Sequence, residues 1–343
     1  MGRRQKALVG AEELVDGLRR RRRAGRAPEH FRIDAYGGHG GAAGVVVRGR
    51  VLDNPPPSEA VEGEGAGAAL RRTLGSFVTD ELPDVPLRVV VGDAAGEVVT
   101  DRDGYFRIEL APRHLVGPWV SGTVELAAPF RGLPGPFRTA VPVRVPTAGA
   151  RFGVISDVDD TIIETGVQRV GLMLRQTFTG SALTRTPFEG AAELYRDLEG
   201  SDQASDTNPF FYISSSPWNL HAFLLAFLRH RDFPLGPLLL RDLVGTVDGR
   251  ARKHERIEEV LALHPQLPFV LIGDSGEHDP EIYADIVRAH PGRIRAVYIR
   301  EVRLDPGDGR VEQVADSWDH DVPFVVAHDS DGVRRHAASI GLL

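Results

Sequence analysis

Near residue 150 the apolar rhythm of this chain changes, and the two rhythms demand different architectures. From Val45 to about Val145 the apolar residues fall in short, closely spaced runs: Val45–Val51, Leu87–Val91, Glu97–Thr100, Tyr105–Leu110, Val120–Leu126 and Thr139–Val145. Glu97–Thr100, the turn Asp101-Arg102-Asp103-Gly104 and Tyr105–Leu110 read as a hairpin. Pro55-Pro56-Pro57 and the stretch 59–69 read as a loose insertion. The expectation for this part is a small antiparallel β-sandwich. From residue 151 strand and helix patterns alternate. Strands are expected at 152–157, 209–214, 237–240, 268–273, 294–299 and 323–327, and helices at 188–199, 217–230, 253–264, 279–290 and 330–341. Such alternation implies a mainly parallel sheet covered on both faces. The expected division is a basic, peripheral helical segment over 1–40, the β-sandwich over 41–148 and an α/β domain over 149–343.

Composition narrows the function. A chain of 343 residues is long enough for two domains. The formal net charge of -7 argues against a nucleic-acid partner. With no cysteine, disulfides, Cys-ligated zinc and thiol nucleophiles are excluded. No apolar run reaches the ~18 residues of a membrane span, and no apolar stretch follows Met1-Gly2-Arg3-Arg4 as a secretory signal requires. The expected setting is cytoplasmic, peripheral at most to a membrane. Of 41 basic residues only Lys6 and Lys253 are lysines. Lysine offers a compact point charge that arginine does not, which singles out Lys253.

The residues with most chemistry are Asp157-Val158-Asp159-Asp160-Thr161, directly after the apolar run Phe152–Ser156. Two carboxylates two residues apart at a strand end suit phosphoryl transfer. One can attack phosphorus, the other can handle the leaving-group proton, and together they can hold Mg²⁺. The bland alternative is an ordinary acidic turn. In open α/β sheets the site forms where strands end, and Asp157, Ser214 and Asp274 each fall at or just past a predicted strand end. The loop at 157 is no EF-hand, because Ile162 stands at the glycine position and Gln168 at the terminal glutamate position. Gly273-Asp274-Ser275-Gly276 is not a nucleophile elbow either, since Glu277 stands where glycine is needed. Asp101 and Asp103 read as a plain turn rather than a Ca²⁺ site. His221, His254 and His278 read as surface or supporting histidines. Arg241, Asp242 and Arg169 are left undecided.

Three strings together resemble the haloacid-dehalogenase (HAD) superfamily of phosphohydrolases, and more closely the catalytic domain of actin-patch-type phosphatidate phosphatases and their bacterial relatives. They are Gly153–Thr161, Phe211-Tyr212-Ile213-Ser214-Ser215-Ser216-Pro217-Trp218 and Leu271-Ile272-Gly273-Asp274-Ser275-Gly276-Glu277-His278-Asp279-Pro280-Glu281-Ile282-Tyr283. The 101–106 hairpin is locally similar to prealbumin- or transthyretin-like β domains. The resemblance implies a Rossmann-like, HAD-type sheet and Mg²⁺-dependent hydrolysis of a phosphomonoester through an aspartyl-phosphate. It implies Asp157 as nucleophile, Asp159 as acid and base, and Thr161 as the residue that orients the loop. Ser214, Ser215 and Lys253 would bind the phosphoryl group, and Asp157, Asp159, Asp274 and Asp279 would form the metal site. The implied substrate is phosphatidate at a membrane surface, giving diacylglycerol. A soluble metabolite or a phosphoprotein is the same-class alternative. A binding or scaffold protein acting through its β domain is the alternative from another class. The sequence does not give the oligomeric state. In the stretch 164–187, Val167, Val170, Leu174 and Phe178 share a helical face that reads either as core or as a flap touching an acyl chain. Arg19–Arg23 reads as a solvated helix end, or else as a weak anchor for anionic lipid or nucleic acid.

Overall fold

The computed structural model describes residues 26–41, 43–55, 80–133, 135–158, 189–200, 207–241, 249–276, 278–301 and 310–343. Asp159, Thr161, the 164–187 stretch, Arg169, Asp242 and Arg19–Arg23 lie outside them.

Seven strands form the first sheet: β1 (Phe31–Gly41), β2 (Gly44–Asp53), β3 (Pro86–Val91), β4 (Ala94–Val99), β5 (Tyr105–Leu110), β6 (Trp119–Leu126) and β7 (Arg138–Arg144). Their order is β4-β3-β6-β7-β1-β2-β5. Every pairing is antiparallel except β1 with β7. The two-layer sandwich expected here is instead one curled sheet. Its edge strands approach each other closely, and a side chain at Gly96 of β4 would meet Ile108 and Leu110 of β5. Alternate residues point inward to a core that includes Val45, Val47, Val89, Val91, Val124, Val141 and Val143.

The boundary expected at residue 41 falls at the end of a strand. Gly37-Gly38-His39-Gly40-Gly41 reads as a breaker in sequence, yet it forms the last half of β1. A Cβ on Gly38 would lie 2.7 Å from the carbonyl oxygen of Val46 and 3.2 Å from the Val143 side chain. Glycine serves close packing here rather than ending an element. The Asp101–Gly104 turn is held by the Asp101 carboxylate, which accepts from the N–H groups of Asp103 and Tyr105, both at 2.9 Å, but the hairpin expected across it does not form, because β4 pairs with β3 and β5 with β2.

The second sheet holds β8 (Gly153–Asp157), β9 (Phe210–Pro217), β10 (Leu238–Arg241), β11 (Phe269–Asp274), β12 (Ile294–Arg300) and β13 (Phe324–Ala327). All are parallel, in the order β10-β9-β8-β11-β12-β13. The helices are α1 (Ala191–Glu199), α2 (His221–His230), α3 (Gly249–Leu263), α4 (Asp279–Ala289), α5 (Arg310–Asp316) and α6 (Ser330–Ser339). The short α5 was not expected from sequence. A 3₁₀ turn, Trp218–Leu220, precedes α2. Two apolar clusters cover the sheet. One joins Val154, Tyr212, Val270 and Tyr298 to α1, α2 and α6. The other joins Ile155, Phe211, Leu271 and Ile299 to α3 and α4. Winding starts at β8, runs outward through β9 and β10, then crosses back to β11. The carboxyl ends of β8 and β11 therefore flank the reversal, where ligands bind in open α/β sheets.

Candidate active site

At that reversal three buried carboxylates meet. Asp157 ends β8, Asp274 ends the adjacent β11, and Asp279 opens α4 five residues later. Each is 0% exposed. One oxygen from each lies within 4.8 Å of the others. Local bonds fix the group. The Asp274 N–H donates to Asp279 Oδ2 at 3.3 Å, and the Gly276 N–H donates to Asp274 Oδ1 at 2.6 Å. The Ser156 hydroxyl donates to the Asp157 carbonyl at 2.6 Å and bonds the Tyr195 hydroxyl at 2.8 Å. The Tyr283 hydroxyl donates to the Ile272 carbonyl at 2.9 Å, tying α4 to β11. Burial raises the Tyr283 phenol well above its ordinary range, and the Asp279 carboxylate beside it adds to the shift.

Lys253, from α3, reaches into this group. Its Nζ is 2.7 Å from Asp157 Oδ1 and also pairs with Asp279. The side chain is 4% exposed, unusual for an ammonium unless it is paired. Buried charge is costly unless compensated. Three converging carboxylates offer the hard oxygen ligands that suit a divalent cation of the Mg²⁺ or Ca²⁺ type.

Ser214 is buried near the end of β9, and its Oγ accepts from the Ser216 N–H at 2.9 Å. Two guanidinium groups brace this loop from behind. Arg241, at the end of β10, donates through Nε to the Ser215 carbonyl, and Arg256 approaches the Ser214 carbonyl at 3.5 Å. Arg241 was undecided from sequence. Arg256 was missed, although it lies three residues after Lys253 and so on a neighbouring part of the same helix surface. Ser156, Tyr195 and Tyr283 were missed as well, because nothing local distinguishes them from core residues.

The fold thus brings together Asp157, Lys253, Asp274 and Asp279, and Ser214 and Ser215 directly follow Ile213, the residue that pairs with Asp157 across β8 and β9. His254 and His278 face outward near Glu258 and Glu281. His221 donates from Nε2 to the Tyr36 carbonyl at 3.0 Å, and burial lowers its pKa to about 4. Among the described residues, no helix is long and apolar enough to cross a membrane.

Residues 152–301 match the family model for the catalytic domain of phosphatidate phosphatase APP1. The chain is 29% identical over 246 residues to phosphatidate phosphatase APP1 of Saccharomyces cerevisiae, an alignment covering 67% of this chain and 40% of the yeast protein. It is 28% identical over 160 residues to an uncharacterised protein of Schizosaccharomyces pombe, covering 45% of this chain and 26% of that protein. The chain therefore spans less than half the length of these two relatives. Among solved structures, a carbohydrate acetylesterase from Xanthomonas citri aligns over 76% of this chain and 66% of its own at 12% identity, with a TM-score of 0.27.

Proposed function

We propose that the chain is a HAD-type phosphoric monoester hydrolase that cleaves phosphatidate to diacylglycerol and phosphate at a membrane surface. The observation that carries the reaction class is the buried Asp157–Asp274–Asp279 group with Lys253 at the carboxyl edge of a parallel sheet. The strand order and its reversal at β8 support a Rossmann-like, HAD-type arrangement. The choice of lipid rests on the similarity to phosphatidate phosphatase APP1.

In this reading an Asp157 carboxylate oxygen attacks phosphorus and the bond to the diacylglycerol oxygen breaks. Asp159 gives that oxygen its proton. Asp159 then takes a proton from water, which attacks phosphorus and breaks the Asp157–phosphoryl bond. Lys253 offsets charge on Asp157 and on the phosphoryl oxygens, and Ser214 donates a hydrogen bond to one of them. Thr161 orients the Asp157 loop, and Ser215 lends its backbone to the phosphate pocket. Mg²⁺, held by Asp157, Asp274, the Asp159 carbonyl and the supporting Asp279, would supply further positive charge at the phosphoryl group. A pure scaffold has no use for three carboxylates buried at a strand edge, and this disfavours the reading in which the β domain alone works.

The test is phosphate release from phosphatidate in detergent micelles, run beside a panel of soluble phosphate esters, with Mg²⁺ or chelator. Release from phosphatidate that needs Mg²⁺ and is abolished in Asp157→Asn is expected, because an amide cannot attack phosphorus. Turnover confined to soluble esters would move the assignment to a metabolite phosphatase. Near-normal turnover in Asp157→Asn would remove the covalent step.

A further inference from the structure

Among the contacts between the curled sheet and the second sheet's layer, two bear directly on elements that carry candidate site residues. The first is Tyr36. In β1, Ala35 faces Gly49 of β2 and Gly37 faces Arg48, leaving Tyr36 as the extra residue of a β-bulge. Gly37 supplies the positive φ of 93° that follows it. A bulge re-aims a side chain out of the regular alternation. The Tyr36 ring lies flat on Trp218, with centroids 4.6 Å apart and planes at 7°. Trp218 comes four residues after Ser214 and is buried. His221, at the start of α2, packs on the same ring at 4.9 Å and donates to the Tyr36 carbonyl. The segment from Ser214 to His221 is thus held by one residue of the other sheet.

The second place is Glu259, six residues after Lys253 on α3. Its carboxylate receives His39 of β1 at 3.1 Å, Arg107 of β5 at 2.9 Å and Arg48 of β2. His39 also packs edge-on against Phe211 of β9, with centroids 5.6 Å apart.

We propose that Tyr36 is a positioning residue for the phosphoryl-binding loop, so that the curled sheet is a working part of the active site rather than an appended binding module. This rests on the phosphatase reading above. The stack fixes Trp218, and Trp218 fixes where the Ser214 hydroxyl sits relative to Asp157 and Lys253. Glu259 holds the helix bearing Lys253 against the same sheet, so both sides of the phosphoryl position refer to one frame. A loop displaced by about 1 Å can cost of order a hundredfold in rate. The flat ring of Tyr36 makes the stack, and its hydroxyl takes no part in it.

The experiment compares Tyr36→Leu and Tyr36→Phe in the full chain. Leucine keeps apolar bulk but cannot stack, whereas phenylalanine can. Tyr36→Leu should lower kcat about ten- to a hundredfold on a short soluble phosphate ester while KM changes less than threefold, and Tyr36→Phe should restore kcat to within about twofold of the parent. A Tyr36→Leu protein that folds and turns over within twofold of the parent would overturn the proposal. So would a Tyr36→Phe protein about tenfold or more slower than the parent, an outcome that stands even if Tyr36→Leu does not fold. A second measurement does not depend on turnover. Of the three tryptophans, Trp119 and Trp318 are replaced by phenylalanine and the emission of Trp218 is followed. Loss of the stack should raise acrylamide quenching of Trp218 and lower its anisotropy, and unchanged values in Tyr36→Leu would also overturn the proposal. If the parent cleaves no phosphate ester, the phosphatase reading fails, and the emission data still decide whether Tyr36 fixes the loop.

Discussion

Replacing Lys253 with methionine keeps most of the side-chain length and removes the ammonium. In the parent, Nζ lies 2.7 Å from Asp157 and also pairs with Asp279, and both carboxylates are fully buried. Lys253→Met therefore leaves two charges in a setting that water does not reach. Breaking a buried pair by removing one partner costs about 3–5 kcal/mol, mostly the penalty of the charge left behind. For a unit of this size each kcal/mol moves Tm by roughly 2–4 °C, so a fall of about 6–20 °C is expected. A double-mutant cycle tests the cause. In an Asp157→Asn background one of the stranded charges is already neutral, so the same lysine change should cost about 2 kcal/mol less. The assay is thermal unfolding of the four proteins in chelator at low and moderate salt. Because the pair is buried, salt should change the coupling little. Strict additivity of the two substitutions, or a Lys253→Met penalty under about 1 kcal/mol, would refute the reasoning and return Lys253 to an ordinary helix residue. Lys253→Arg should also fail in turnover despite keeping the charge, since the wider guanidinium does not fit a point position.

Glu259→Gln should cost about 2 kcal/mol in thermal unfolding, less than a fully buried pair because Arg107 is 44% exposed and partly solvated. An unchanged Tm would mean the contact between the sheets does not depend on this carboxylate. Acid should destabilise the protein through buried histidine. Burial, reinforced by His39, Arg293 and Arg144 nearby, lowers the His264 pKa to about 3, against about 6.5 in an unfolded chain. Below pH 6.5 the unfolded chain takes up a proton that the native state refuses. The stability is therefore intact above pH 6.5 and drains at about 1.4 kcal/mol per unit as pH falls toward 3. Neither ring nitrogen of His264 makes a hydrogen bond among the described residues, so His264→Phe should fold and show a shallower loss of Tm between pH 6.5 and 5. An equally steep profile in that variant would place the acid sensitivity elsewhere.

Much of the second sheet is legible in the sequence because its signals are local. All six predicted strands fall within a few residues of β8–β13. Each lies between a helical period and a polar turn, and the strand ends put Asp157, Ser214 and Asp274 at one edge. The short α5 escapes because seven residues carry too little periodicity. The 37–41 glycines mislead for the opposite reason. Their local signal is that of a breaker, and only the close approach of β2 and β7 makes a glycine-rich strand the better solution.

By itself the sequence determined the strands of the second sheet and most of its helices, and it singled out Asp157, Asp274, Asp279 and Lys253 as candidates for chemistry. Those properties follow from residues near one another in the chain. Only the tertiary structure decided that Lys253 meets Asp157 across 96 residues, that Glu259 is gathered by three side chains from another sheet, and that Tyr36 lies on Trp218. In sequence Glu259 is one more charge on a charged helix, and Tyr36 is one more aromatic beside glycines. Their partners are fixed by how two separately patterned sheets pack together, and the pattern within either one carries no information about that contact.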